Sequence, residues 1–355
     1  MHSLDTATEK LISQTEENRV TNPRLVLEAA RTLRDTAKET KNNQLLGYAD
    51  YCMVNAYFVL NDVDSVSHYA LRALPNLIAA QDWYRAGNTY NIMALAEIRV
   101  GNMAQALEYL SLAIKMVNDH SLYQLGAMVY LNAADVCTQL ENTKEAFHNI
   151  LIAETFVDKC EEGDEKDFNE MVASSEGAVA ARKMKDQEAY QKQKDILNAL
   201  LKKHPDYENE TNVLMLEYSE AHDQNDSKTE DELIQKIETG FYRSAEFLNY
   251  INEFMYFLVI LKDTKNYHAL DEMLEFFNQS LNGYESVGIM TRVSLFKVKY
   301  YMDIHEEEKL NEELRLYWQY SQKLQKQTND VLISLIDANN NLEETKRSNE
   351  LLKTL

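Results

Sequence analysis

Apolar positions along the chain recur every three and four residues and not every second one, so the elements they predict are amphipathic helices and not strands. Read outward from the clearest stretches, the pattern gives helices at 24–39, 43–60, 62–80, 83–100, 103–119, 121–140, 142–160, 166–182, 185–203, 208–224, 228–240, 244–262, 266–281 and 284–303. Residues 1–22 remain as an N-terminal segment. Only three prolines and nine glycines interrupt the chain, which suits long elements. The strongest breaks are His204-Pro205-Asp206 and the polar run from Asp223 to Thr229.

Within this series three segments share a register. Asn61-Asp62-Val63 with Val66 and Ala73, Gly101-Asn102-Met103 with Ala106 and Ala113, and Glu141-Asn142-Thr143 with Ala146 and Ala153 follow one another at intervals of 40 residues. Gly101 can adopt the left-handed conformation that ends a helix, and Asn102 can cap the next one. Ala106 and Ala113 lie on one face, where a larger side chain would hold paired helices apart. The segment resembles the tetratricopeptide signature, whose glycine and two alanines correspond to Gly101, Ala106 and Ala113. Asn61, Glu141 and Val66 depart from it, and the interval exceeds the usual length of about 34 residues. The fold expected is all-α: a solenoid of tetratricopeptide-like helix-turn-helix repeats over 23–303, followed by a long helix over 304–355.

Stacked helix pairs present the first helix of each pair on a concave face. By register with the signature, that face carries Tyr48, Tyr51 and Asn55, then Asn88, Asn91 and Arg99, then Asp135 and Gln139. Amides pair with peptide groups and guanidinium forks onto carboxylate, so these residues are the candidate groove for a peptide or protein ligand.

From Glu306 onward neither glycine nor proline occurs. Leu310, Leu314, Tyr317, Ser321, Leu324, Thr328, Val331, Leu335, Ala338, Leu342, Thr345, Asn349 and Leu352 alternate in steps of four and three. That heptad period predicts a left-handed coiled coil. Its seam from about residue 325 is read as Leu324, Val331, Leu335, Ala338, Leu342, Asn349 and Leu352, pairing two copies in parallel. Tyr317, Trp318 and Tyr320 are expected to pack on the last repeat. A repeat region that runs into a coil ending Asn341-Leu342-Glu343-Glu344-Thr345-Lys346-Arg347-Ser348-Asn349-Glu350-Leu351-Leu352 resembles the N-terminal input half of bacterial signalling proteins with a GGDEF diguanylate cyclase domain. The resemblance implies control of a cyclic-di-GMP output through dimerisation or coil register. The cyclase motifs themselves are absent from these residues, so no enzymatic activity is expected of them.

Charge and composition narrow the partners. Fifty-eight acidic against 36 basic side chains give −22, which disfavours nucleic acid and anionic lipid. Cys52, Cys137 and Cys160 are too few and too scattered for a disulfide framework or a zinc site, and are expected to be reduced and buried. The eight histidines include no i, i+4 pair, and Gly163-Asp164-Glu165 reads as a solvated interhelical loop, so neither metal nor cofactor is expected. The most apolar stretch, Phe247 to Leu261, is shorter than a membrane span of about 20 residues. The N-terminus lacks a basic segment followed by an apolar one. A cytoplasmic interaction region is the expectation. Its alternatives are a free-standing peptide-responsive regulator and the input region of a histidine kinase.

Overall fold

The computed structural model describes residues 6–242, 250–280 and 286–326, and among them no strand occurs. The helices are α1 (Thr6–Glu17), α2 (Pro23–Glu39), α3 (Asn43–Val59), α4 (Val63–Ala79), α5 (Trp83–Arg99), α6 (Met103–His120), α7 (Tyr123–Gln139) and α8 (Thr143–Val157). They continue as α9 (Asp164–Lys183), α10 (Gln187–Lys203), a 3-10 turn (Pro205–Asn209), α11 (Thr211–Asp223), α12 (Ser227–Tyr242), α13 (Ile251–Asp263), α14 (Tyr267–Ser280) and α15 (Val287–Asp303). A last helix, α16, is described over 307–326. The chain divides into two compact units, 1–280 and 281–355, a division inside the stretch 23–303 read as one array.

One junction recurs throughout. Lys41, Asn61, Gln81, Gly101, Ser121 and Glu141 all have positive φ, one at every twentieth residue, and Lys185, Asn225, Lys265 and His305 repeat the conformation later. After each of them the next backbone N–H reaches five residues back, as from Asn42 to the Ala37 carbonyl (2.8 Å) and from Asp82 to that of Leu77 (2.9 Å). This is the Schellman closure of a helix end. At most junctions the residue that makes the bond then caps the following helix: Asn42 accepts from the Leu45 N–H at 3.0 Å, and Asp62 from that of Ser65 at 3.0 Å; the side chain of Asn102, expected to cap α6, makes no such bond. Two helices are thereby joined by a turn with few unpaired backbone groups.

Constant turns keep the helices constant in length. Each of α2 to α5 has 17 residues, so equivalent positions overlay after a full pair. In α4 the buried row is Val66, Ala70, Ala73 and Leu77; in α6 it is Ala106, Leu110, Ala113 and Val117; in α8 it is Ala146, Ile150, Ala153 and Val157. Each row steps by four, three and four, the stripe one face of a helix presents. Alanine at the middle of every row lets the paired helices approach closely. Gly47 carries this further on α3, where an added Cβ would lie 2.9 Å from the Asn76 Cβ and 3.2 Å from the Leu77 backbone nitrogen.

Several expectations need correction. The segment 1–22 contains α1, whose buried side chains are Thr8 and Thr15, too polar to show as a hydrophobic stripe. Asp164 and Glu165 belong to the first turn of α9, where carboxylates favour the helix dipole, so the acidic loop is shorter than read. Cys52 and Cys137 are buried free thiols, but Cys160 is only partly buried beside the end of α8. In the unit 281–355, Trp318 is 65% exposed and does not pack as expected, whereas Glu313 is buried and its carboxylate lies 3.8 Å from the Lys297 ammonium. Trp318 sits about 100° around the helix from Tyr317, off the half-buried seam. Of the predicted coil seam, Leu324 is partly buried, and Val331, Leu335, Ala338, Leu342, Asn349 and Leu352 lie outside the described residues. No described helix is long and apolar enough to cross a membrane.

Gly47→Ala is expected to lower stability by about 1–3 kcal/mol, because backbone and not a flexible side-chain tip meets the new methyl group. Gln81→Gly is expected to raise stability by about 0.5–1 kcal/mol, the left-handed penalty exceeding the entropy that glycine adds to the unfolded chain. Urea denaturation of both variants checks the pair, and a Gln81→Gly chain no more stable than its parent contradicts the turn argument.

Candidate functional site on the first helices of the pairs

In the unit 1–280 the first helices of successive pairs touch one another: α3 meets α5, α5 meets α7, α7 meets α9, α9 meets α11 and α11 meets α13. All eight groove candidates stand on α3, α5 and α7. Tyr48, Tyr51, Asn55, Asn88 and Asn91 are buried, while Arg99, Asp135 and Gln139 are partly buried. The surface read as an open polar face is therefore mostly closed, because its polar groups pair across neighbouring helices or back along their own. The Asn88 side-chain amide donates to the Tyr51 hydroxyl at 2.8 Å, and that of Asn132 donates to the Asn91 side-chain oxygen Oδ1 at 2.8 Å. Asn55 donates to the Tyr51 backbone carbonyl at 2.9 Å, and Gln139 to Asp135 at 2.8 Å. Arg99 lies apart from the others: it donates to the Phe58 carbonyl and to Asn61 at 2.7 and 2.8 Å, stacked 3.8 Å from the Phe58 ring centroid.

Tyr48, Tyr51 and Asn55 line one cavity of about 300 Å³, together with Thr15, Glu16, Arg19, Val26, Cys52, Tyr84 and Arg85. Its walls come from α1 and the turn after it, from α2, from α3 and from the first turn of α5. The Tyr48 hydroxyl shares a hydrogen bond with that of Thr15 at 2.8 Å, and Glu16 accepts from it at 3.4 Å. Burial pushes the Tyr48 phenol well above its ordinary value and the Cys52 thiol up to about 11, so both are neutral. The Arg85 guanidinium lies 4.9 Å from the Tyr48 ring centroid and 6.0 Å from that of Tyr51, paired with Asp82 at 2.7 Å and with Glu16 at 3.6 Å. Sequence reading missed Thr15, Glu16, Arg19, Tyr84 and Arg85. Thr15, Glu16 and Arg19 belong to the segment for which no helix was read, and the last two open a helix whose register was scored only further along.

At the other end, α13 touches both α5 and α7. The Lys262 ammonium of α13 lies 3.8 Å from Glu141, at the turn after α7. Glu176 of α9 is raised well above its ordinary value, first by burial and then by Asp135 and Glu253, and Asn212 donates to it at 3.3 Å. The chain's own helix thus packs where Asp135 and Gln139 were expected to meet a ligand. Elsewhere Asp164, Asp167 and His204 converge, a grouping the i, i+4 search could not find. Asp167 there is already paired with the Lys203 ammonium at 2.5 Å, and His204 bonds the same oxygen at 2.7 Å.

No family model and no curated protein matches the chain. Among solved structures, the apo form of RapI superposes with a TM-score of 0.51 at 13% identity, over 90% of this chain and 99% of that one. The fold is similar to that of RapI. Likeness at this identity is a likeness of fold, and it agrees with the all-helical, solenoid-like array of helix pairs read from the sequence.

Several carboxyls of the first unit are raised by burial, among them Glu176 well above its ordinary value, Glu97 to about 7 against an opposing Asn102 hydrogen bond, and Asp50 to about 6 where burial outweighs Arg34 and Lys38. In the unfolded chain they release their protons near 4.5, 4.5 and 3.8. The folded state therefore holds more protons between these values, and stability present below the unfolded pKa is lost as pH rises through the folded one. The denaturation midpoint is expected to fall from pH 5 to pH 8, and Glu176→Gln to flatten that fall while leaving the midpoint at pH 5 nearly unchanged. Identical pH profiles for variant and parent contradict it.

Proposed function

We propose that this chain is a regulatory binding module that takes a peptide or protein segment along the first helices of its pairs, between the cavity at α1, α3 and α5 and the helix α13. The observation that carries this reading is the pair of side-chain bonds that link successive first helices, Asn88 to the Tyr51 hydroxyl between α5 and α3 and Asn132 to Asn91 between α7 and α5. Such groups can exchange bonds with one another for bonds with a peptide backbone at little net cost. The fold likeness to a protein solved as an apo form, a description suited to a ligand-binding protein, supports the same reading.

A synthetic random peptide library presented to the full chain is expected to yield binders. Asn91→Ala combined with Asn132→Ala is expected to weaken them about tenfold, the worth of a bond or two to the backbone. Failure to select any binder, or binders indifferent to the double substitution, overturns the reading.

A second reading adds a transmitter. The heptad series from Leu310 to Leu352 supports a coil that pairs two chains and passes the bound state to an attached output domain, of the GGDEF diguanylate cyclase type by resemblance or of the histidine kinase type. Without such an output the module is a free-standing regulator. Light scattering on the chain with and without 327–355 separates the two: a dimer lost on truncation supports the transmitter, and a monomer in both forms counts against it.

A further inference from the structure

We propose that the cavity at α1, α3 and α5 anchors the C-terminal residue of a bound peptide, its aromatic side chain among Tyr48, Tyr51 and Tyr84 and its free carboxylate on Arg19 and Arg85. The inference rests on the peptide-binding reading and assigns the end of the ligand. A volume of about 300 Å³ is at the lower limit of ligand pockets and suits one large residue. Val26 and the neutral Cys52 complete an apolar wall. Three phenol rings offer flat faces and polar rims, the combination that holds an aromatic ring while tolerating a wet edge.

The charges around the cavity single out the carboxylate. In a chain of net charge −22, the charged side chains lining this cavity are Arg19, Arg85 and Glu16, a local excess of one positive charge. Arg19 is exposed and forms no ion pair among the described residues. Arg85 is held in place by Asp82 and by its stacking on Tyr48 and Tyr51, which orders the guanidinium before a ligand arrives. Glu16 shows where an anion belongs. Its carboxylate lies between the Arg85 guanidinium (3.6 Å) and the Tyr48 hydroxyl (3.4 Å), with both contacts long and the side chain 59% exposed. A peptide carboxylate that displaces Glu16 into water keeps the same two donors and gains Arg19. The exchange unburies nothing.

Calorimetry on the full chain with Ala-Ala-Phe, its C-terminal amide and N-acetylphenylalanine tests the assignment. The free acid is expected to bind about tenfold more tightly than the amide. Arg19→Gln should remove most of that preference, and Glu16→Gln, which withdraws the competing carboxylate from an exposed position, should strengthen the acid. Equal binding of acid and amide overturns carboxylate recognition. Weaker acid binding by Glu16→Gln overturns the placement of the anion. N-acetylphenylalanine binding as well as the tripeptide would assign the cavity to a free aromatic acid and not to a peptide end. The two readings fail separately: library binders sensitive to Asn91 and Asn132 without any response to Ala-Ala-Phe leave the module standing and remove the anchor, whereas the reverse result removes the module.

Discussion

The left-handed turn that closes one helix and caps the next is the constraint on which the rest of this chain depends. A helix end leaves carbonyls unpaired and the following helix start leaves N–H groups unpaired. At most of these turns one pair of residues serves both: a residue at positive φ, then an Asn or Asp whose N–H closes the old helix and whose side chain opens the new one, whereas Leu122 and Asn102 supply the closing N–H without a side-chain cap. Because the device has one geometry, it fixes the angle at which each helix leaves its predecessor. Because it recurs every twentieth residue from Lys41 to Glu141, it also fixes which residues overlay from pair to pair. Ala73, Ala113 and Ala153, all fully buried, are a consequence of that register.

A strict register makes the polar chemistry local. The side-chain bonds from Asn88 to Tyr51, Asn132 to Asn91, Arg99 to Asn61 and Gln193 to Glu154 each span close to one helix pair. Stability in such an array is a sum of neighbour terms, and a perturbation in one pair is felt by the next. The packing of α13 on α5 and α7 departs from this rule. It joins elements far apart in sequence and places Glu253 and Asp135 near one buried carboxyl, Glu176, whose charged form is disfavoured accordingly.

The array was legible in the sequence because Gly101, Ala106 and Ala113 concentrate turn, cap and close approach in one segment. The other turns were harder to read for a physical reason: Lys41, Gln81, Ser121 and Glu141 adopt the conformation usually left to glycine, since the bonds on either side hold them there. The steadier signal was the capping residue one position later, in Asn42, Asp62, Asp82 and Asn142. The site was legible in part. Register places Tyr48, Tyr51, Asn55, Asn88 and Asn91 on adjoining first helices, but it cannot show that their amides and hydroxyls are spent on each other. Nor does any local pattern encode α1 over the cavity or α13 against α7. Those are tertiary contacts between segments whose own periodicities carry no information about partners.

Polar pairing on the first helices also bears on how binding could be regulated. A face whose amides are already satisfied gains little from any single new bond, because each must replace an old one of similar strength. Net affinity then comes from groups that begin under-satisfied, and from the order already built into the free state. Arg85, stacked and paired before a ligand arrives, and Glu16, held by two long contacts, have that character. The bonds of Asn88 and Asn132 start satisfied, so in the proposed binding they would add no more than the worth of a bond or two. In the proposed binding their part would be register, favouring a backbone that fits the spacing of the pairs over one that leaves an amide unpaired. A ligand shifts the chain between two arrangements only as far as it binds one better than the other. In this fold such a difference can arise where the pairing between neighbours is changed, at the α1, α3 and α5 junction or under α13, and not along the alanine-lined rows of α4, α6 and α8, where packing admits one arrangement.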